Sequence, residues 1–321
     1  MKLIRSLPGP VLVFLGAFSL SFGGLIIKSF EGATQWQILF WRTIFFLLVI
    51  SIYLLITYKK SIFKSFYDSG LPGFFGGLIL SFGFCGYVFA MYNTTVANTN
   101  FIISLQILFL AIFGYFFLKE KISLITLSSI VIAMTGVLLM VGNSLSPGEL
   151  SGNLAAFTMP ITFAVLIMIV RKFPSVDMVP AQFVAGVSSC LIGFLLSTKI
   201  MISPHDIFLG FLAGFFQVGF GFIFITIGAR TTPSAMVGII MLSESVLGPI
   251  WAFLFVSERP SMFGLIGGAI ILFAVLLQFY SLLSKPKKTV SDWLFYIHVR
   301  LLSYGRDCLL YTSDAADEED S

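Results

Sequence analysis

A chain of 321 residues with 58% hydrophobic and 11% charged residues cannot cover a soluble surface, where about a quarter of the residues carry charge; its mean hydropathy is +1.01. The formal net charge of +4 is scattered in short clusters between apolar runs, which fits the lipid bilayer as a partner and not nucleic acid. There is no CxxC or Cys/His cluster, which argues against a disulfide framework or a zinc site. The motifs GxSxG, HExxH, Walker A and GxGxxG are also missing, so neither an enzyme nor a cofactor is expected.

Apolar runs of about 20 residues, the length that crosses roughly 30 Å of hydrocarbon, fall at about 8–30, 34–57, 70–91, 97–118, 122–142, 151–170, 177–197, 206–229, 233–256 and 262–283. Lipid leaves no partner for an unpaired backbone group, so the expected fold class is an all-α integral membrane protein of ten transmembrane helices. No small-residue cleavage site follows the first run, which reads as a span and not a signal peptide. With the N-terminus inside, thirteen Lys/Arg flank the spans on the inner side (Lys2, Arg5, Lys59, Lys60, Lys64, Lys119, Lys121, Arg171, Lys172, Arg230, Lys285, Lys287 and Lys288) and three on the outer (Lys28, Lys199 and Arg259). This bias places both termini in the cytoplasm and the protein in the inner (plasma) membrane.

Taken in chain order, the spans carry few groups that lipid would reject. Lys28, near the end of the first, can snorkel to the interface. Arg42, beside Trp41, lies about eight residues into the second, ~12 Å deep at 1.5 Å per residue; it reads as a site for an anionic substrate group or as half of a fixed structural pair. Asn98, Asn100 and Gln106 enter the fourth span, and Gln217 lies in the eighth. Their amides suit a zwitterionic or heterocyclic ligand, or serve as interhelical glue. Glu244 sits midway along the ninth span, on one helix face with Val237, Ile240, Leu247 and Trp251. A charge there costs several kcal/mol unless it faces protein or water. It reads as a substrate contact or a proton-coupling carboxylate, against a structural hydrogen bond. Pro249 should kink the same helix. The GxxxG pairs at 73–77, 210–214 and 264–268 read as sites of close helix packing.

The stretch ISLQILFLAIFGYFFLKEKI at 103–122 overlays MLSESVLGPIWAFLFVSERP at 241–260 with a shift of 138, placing Gln106 on Glu244 and Phe113 on Trp251; Gly73–Gly77 overlays Gly210–Gly214 at 137. Five spans per half is an odd number, so the second half enters the membrane from the opposite side. Such inverted repeats are a common build for secondary transporters. The expected organisation is a first repeat over 1–146 and a second over 147–288, with a central cavity lined by the Glu244 and Gln106 faces. The tail at 289–321 loses the span pattern; CLLYTSDAADEEDS resembles translated sequencing-adapter read-through, and the other reading is a disordered acidic tail. Neither gives it a function.

FFLKEKI, LFVSERPSMFGLIGG and the arginine of FWRTIFFLL together resemble the EamA-type transporters of the drug/metabolite transporter superfamily, over about 8–283. The resemblance implies ten helices with both termini inside and alternating-access export or exchange of small polar metabolites, such as amino acids, with a proton as the coupling ion considered. It does not imply one substrate. The second half departs from it: VPAQFVAGVSS has Gln182 where a counterpart of Arg42 would stand. A lipid-carrier flippase is the alternative within transport, and an intramembrane enzyme or a non-transporting scaffold the alternatives outside it.

The charge bias yields a direct test. In a background lacking the native cysteines, single cysteines at positions 62 and 287 should react with an impermeant thiol reagent only from the cytoplasm, and one at 147 only from outside. Labelling of position 62 from outside would invert the assigned topology.

Overall fold

The computed structural model describes residues 7–119, 124–141, 147–259 and 262–283. Glu120 and Lys121 of the first-half KEK motif, Lys285, Lys287, Lys288 and the tail at 289–321 lie outside the described residues. In chain order the helices are α1 (Gly9–Ser21), α2 (Gly23–Lys28), α3 (Gln35–Tyr58), α4 (Ile62–Asn93), α5 (Val96–Ile103), α6 (Gln106–Leu118), α7 (Leu124–Val141), α8 (Pro147–Ala156), α9 (Thr158–Lys172), α10 (Val179–Leu196), α11 (Pro204–Phe211), α12 (Gly221–Ala229), α13 (Ser234–Val256) and α14 (Met262–Leu283). A π-helical segment, Leu212–Phe220, joins α11 to α12.

The protein is an all-helical membrane protein. Among the described residues, seven helical runs are long and apolar enough to span a bilayer. One of them, Gln35–Asn93, has 59 residues, ~88 Å if straight. It is not straight: Lys59 adopts φ 47° and opens a 3₁₀ turn, and α3 and α4 pack against each other. The helix after this turn begins earlier than the expected span at 70. Residues 62–69 form an extra helical stretch with Phe63 and Tyr67 exposed, set off by Gly70 at φ 55° just before Pro72.

Local chemistry fixes the ends. Thr34 and Gln37 make a reciprocal capping box at the start of α3, with the Thr34 N–H donating to Gln37 Oε1 at 2.8 Å. Ser203 caps α11 through the Asp206 N–H at 3.1 Å, ahead of Pro204. At the other ends, α6 and α13 both stop on a residue in the left-handed region, Lys119 and Ser257. These two positions are 138 residues apart.

The helix contacts recur at the same spacing. α3 packs on α10 and α7 on α14; α4 packs on α10 as the π segment packs on α3; α9 packs on α4 as α1 packs on α12; α6 packs on α9 as α13 packs on α1. At the centre, Phe84 and Phe222, again 138 apart, meet edge-to-face at 5.1 Å, flanked by Phe46 and Phe163. All four rings are fully buried.

Two of the GxxxG glycines explain how close these helices come. A methyl group on Gly77 would strike the Ala181 carbonyl oxygen, and one on Gly214 the Arg42 carbonyl oxygen. Gly77→Ala and Gly214→Ala should each lower stability by about 1–3 kcal/mol, the usual cost of overpacking. Gly32→Ala, whose added carbon meets nothing within 4 Å, is the control. Thermal unfolding in detergent reads the difference; equal midpoints for all three would refute the close-approach account.

Candidate functional site

The first span is broken. α1 ends at Ser21 and α2 begins at Gly23, and the Ser21 hydroxyl donates back to the Phe18 carbonyl at 2.7 Å, a bond that bends helices. Side chains from three distant elements gather at this break. Trp251 of α13 stacks on Phe22 with ring centroids 5.1 Å apart and planes 10° apart, and its Nε1 donates to Ser21 Oγ at 3.0 Å. Gln217, from the π segment, donates its Nε2 to the Leu20 carbonyl at 3.1 Å. The Tyr87 hydroxyl and Gln217 Nε2 both press on Gly23: a methyl group there would collide with the hydroxyl and come within 2.7 Å of Nε2. Glycine at 23 is what lets the two polar groups approach the backbone.

Arg42 completes the cluster from α3. It is 2% exposed, and its guanidinium carbon lies 5.0 Å from the Tyr87 ring centroid and 5.5 Å from that of Phe84, within cation–π range. The aromatic faces offset part of the cost of burial but accept no hydrogen bond from a guanidinium edge. Arg42 Nε and Nη1, the Tyr87 hydroxyl and Gln217 Oε1 are all buried without a hydrogen-bond partner. Glu244 is 5% exposed. It is close enough for its charge to act on both Arg42 and Tyr87, yet no direct ion pair joins it to Arg42 among the described residues. Buried polar atoms are paired in the great majority of cases, and four unpaired ones gather around this broken helix.

The sequence-derived candidates therefore divide. Glu244, Arg42, Gln217 and Trp251 converge on the break in the first span. Asn100 comes with them through α13: its Nδ2 lies where a methyl on Gly248 would stand, one turn beyond Glu244. Gln106 is buried on α6, which packs on α13, and its Nε2 has no partner; no hydrogen bond links it to Glu244. Asn98 and Trp41 sit elsewhere. Asn98 belongs to a capping cluster, its N–H donating to Thr95 Oγ1 at 3.1 Å and its Nδ2 to Thr94 Oγ1 at 3.4 Å, with Thr94 bonded in turn to Asn153. Trp41 donates to the Ile200 carbonyl at 2.9 Å and pins the segment between α10 and α11. Gln182, at the place of an Arg42 counterpart, donates to the Phe222 carbonyl and to Thr226 on α12. Tyr87, Phe84, Ser21 and Phe22 were not among the sequence-derived candidates. A lone tyrosine inside a span and a Phe-Gly-Gly step in another are weak signals, and only their meeting in space gives them meaning. Two cavities, of about 580 and 400 Å³, are lined by other residues.

Long apolar helical runs with irregular stretches, and unpaired polar groups converging on one of them, fit the class of polytopic membrane transporters. The family assignment agrees. The sequence profile of the EamA-like transporter family matches the chain twice, over residues 7–142 and 146–280, and the protein belongs to that family. An uncharacterized transporter of Methanothermobacter thermautotrophicus is 27% identical over 207 residues, 59% of this chain and 58% of that protein. This match thus spans less than two thirds of that relative. One solved structure, described simply as the crystal structure of a protein, aligns with a TM-score of 0.65 and 16% identity, covering 84% of this chain and 95% of its own; that is a likeness of fold.

The orphan at Tyr87 separates a structural role from a binding role. Removing an unsatisfied buried hydroxyl relieves a cost of about 1–3 kcal/mol, so Tyr87→Phe should unfold at a higher temperature than the parent protein when empty. It should bind substrate more weakly. A loss of stability in the empty protein would mean that the hydroxyl already has a partner.

Proposed function

We propose that the protein is a secondary transporter that moves small zwitterionic metabolites, amino acids among them, outward across the inner membrane. In this reading a substrate carboxylate takes the unpaired N–H groups of Arg42, with Tyr87 adding a hydrogen bond, and a substrate ammonium faces Glu244. The observation that carries it is the pair of opposite buried charges, Arg42 and Glu244, held apart beside unsatisfied hydrogen-bonding atoms. A protein needing only a structural ion pair gains most by closing it.

The transport mechanism proposed is alternating access between two inverted five-helix halves, ten spans in all, with both termini cytoplasmic. The contacts that recur at a spacing of 138 residues, the left-handed caps at Lys119 and Ser257, the Phe84–Phe222 pair and the double family match over 7–142 and 146–280 support this reading. The break at Phe22 supplies a hinge in the span that touches the site. The π segment at Gln217 supplies irregular backbone beside it, as such segments often do at functional positions. Proton coupling, if the carboxylate provides it, runs through Glu244, with Arg42 and Tyr87 as the groups facing it.

Uptake of a labelled amino-acid panel into proteoliposomes, with and without a pH gradient, tests the proposal. Arg42→Gln should raise the half-saturating concentration roughly tenfold to a hundredfold, the worth of a hydrogen bond to a charged group. Glu244→Gln keeps size and hydrogen bonding but cannot titrate. It should uncouple transport from the gradient if Glu244 carries the proton, or weaken affinity at every pH if it only holds the ammonium. Unchanged transport in both variants would reduce the cluster to interhelical glue and end the proposal.

A further inference from the structure

The larger cavity lies apart from the polar cluster. It holds about 580 Å³ between α13, α14 and Phe101 of α5, within the range of small-molecule sites. Its wall is apolar, and Ile250, Phe253, Leu254 and Leu265 along it are also exposed on the outer surface of the bundle. In a membrane this opening faces hydrocarbon, so an occupant arrives from the bilayer and not from water.

Beyond Arg259 at its edge, the wall is interrupted by polar groups at Ser245. Ser245 is 1% exposed and lines the cavity, and its hydroxyl has no hydrogen-bond partner. Pro249, four residues on and also in the wall, has no N–H, so the Ser245 carbonyl loses its normal helical donor. A hydroxyl that can donate or accept thus lies unpaired in the wall, on the residue whose carbonyl lacks its i+4 donor. Ser245 is 14 residues from Arg259, which lines the same cavity. The helix ends at Val256, 11 residues and ~16 Å beyond Ser245, and Arg259 lies past that end. A phospholipid anchored by its phosphate at Arg259 would offer only acyl chain at the depth of Ser245, and would leave both groups unmet.

We infer that this cavity is a binding site for lipid-soluble alcohols that enter from the bilayer, the apolar body filling the chamber while the hydroxyl donates to the Ser245 carbonyl and accepts from Ser245 Oγ. An alcohol carries both hydrogen-bonding functions on one oxygen, which matches two groups on one residue. The site is distinct from the Arg42–Glu244 cluster, none of whose charged residues lines it, and it does not depend on what that cluster transports.

Photolabelling of the full chain in lipid nanodiscs tests this. The probe is a long-chain primary alcohol carrying a diazirine; the comparison probe is the matching alkane diazirine without the hydroxyl. The alcohol should label peptides within 245–254 and 262–271, and excess decanol, but not decane, should compete. Ser245→Ala should weaken decanol competition roughly fivefold, the loss of about one hydrogen bond. Ala269→Phe, at an exposed position of the wall, should fill the chamber and abolish saturable labelling. If Ala269→Phe does not fold, Ser245→Ala decides. Equal labelling by both probes with no effect of Ser245→Ala would show that lipid tails alone fill the cavity, and alcohol labelling elsewhere in the chain would misplace the site; either result overturns the inference.

Discussion

The bilayer's lack of water governs everything else in this structure. Inside hydrocarbon a polar atom can be satisfied only by the protein itself, and most of the chain obeys. The Thr and Ser hydroxyls of the spans mostly donate to carbonyls three or four residues back, as Thr43 does to Leu39 at 2.7 Å and Ser81 to Leu78 at 2.6 Å. Against that background an unpaired atom is informative. Arg42, Tyr87 and Gln217 are informative because their unpaired atoms gather at one place, and Ser245 because its hydroxyl lines a cavity.

The same constraint explains where the backbone is irregular. A break in a spanning helix exposes N–H and C=O groups that lipid will not accept, so each break needs partners from elsewhere in the bundle. At the first-span break, Gln217 takes the Leu20 carbonyl and Trp251 takes Ser21. Ser19 donates to the Phe216 carbonyl at 2.8 Å in the π segment, so two irregular stretches repair each other. Glycines at 77 and 214 bring α4 close to α10 and the π segment close to α3. The scaffold around the cluster is therefore closely packed, while the break in the first span is held by a few side-chain bonds.

Sequence alone revealed what hydrocarbon dictates locally. The apolar runs, the helical class, the packing glycines at 77 and 214 and the misfit of Arg42 and Glu244 all follow from one residue set against its immediate neighbours. What it did not reveal depends on residues far apart in the chain. Asn98 looks like Asn100 in the sequence, but Asn98 turns to Thr94 at a helix start while Asn100 points at Gly248. Trp41 adjoins Arg42, yet consecutive helical side chains face about 100° apart, and the indole goes to the Ile200 carbonyl instead. Tyr87 was passed over because a tyrosine in a span is ordinary until a guanidinium is found above its ring. The break at Phe22 was unseen because apolar periodicity runs through it without interruption.

On the two-repeat reading, the 138-residue correspondence also shows where symmetry stops. Aromatic and glycine positions are kept in both halves: Phe84 with Phe222 at 138, Gly77 with Gly214 at 137. The charged positions are not. Glu244 overlays the neutral Gln106, and near the counterpart of Arg42 the second half has Gln182, already bonded to α12. A faithful duplication would have buried two carboxylates and two guanidiniums close to the pseudo-axis, and like charges so placed would disfavour each other's ionised forms. Keeping one charge of each sign avoids that cost and gives the site a direction. A zwitterion bound as proposed would fit in one orientation only, with its anionic end at Arg42. Under the proposed alternating-access mechanism, a two-fold scaffold would in this way move an oriented substrate, because the symmetry lies in the packing and the asymmetry in the polar groups.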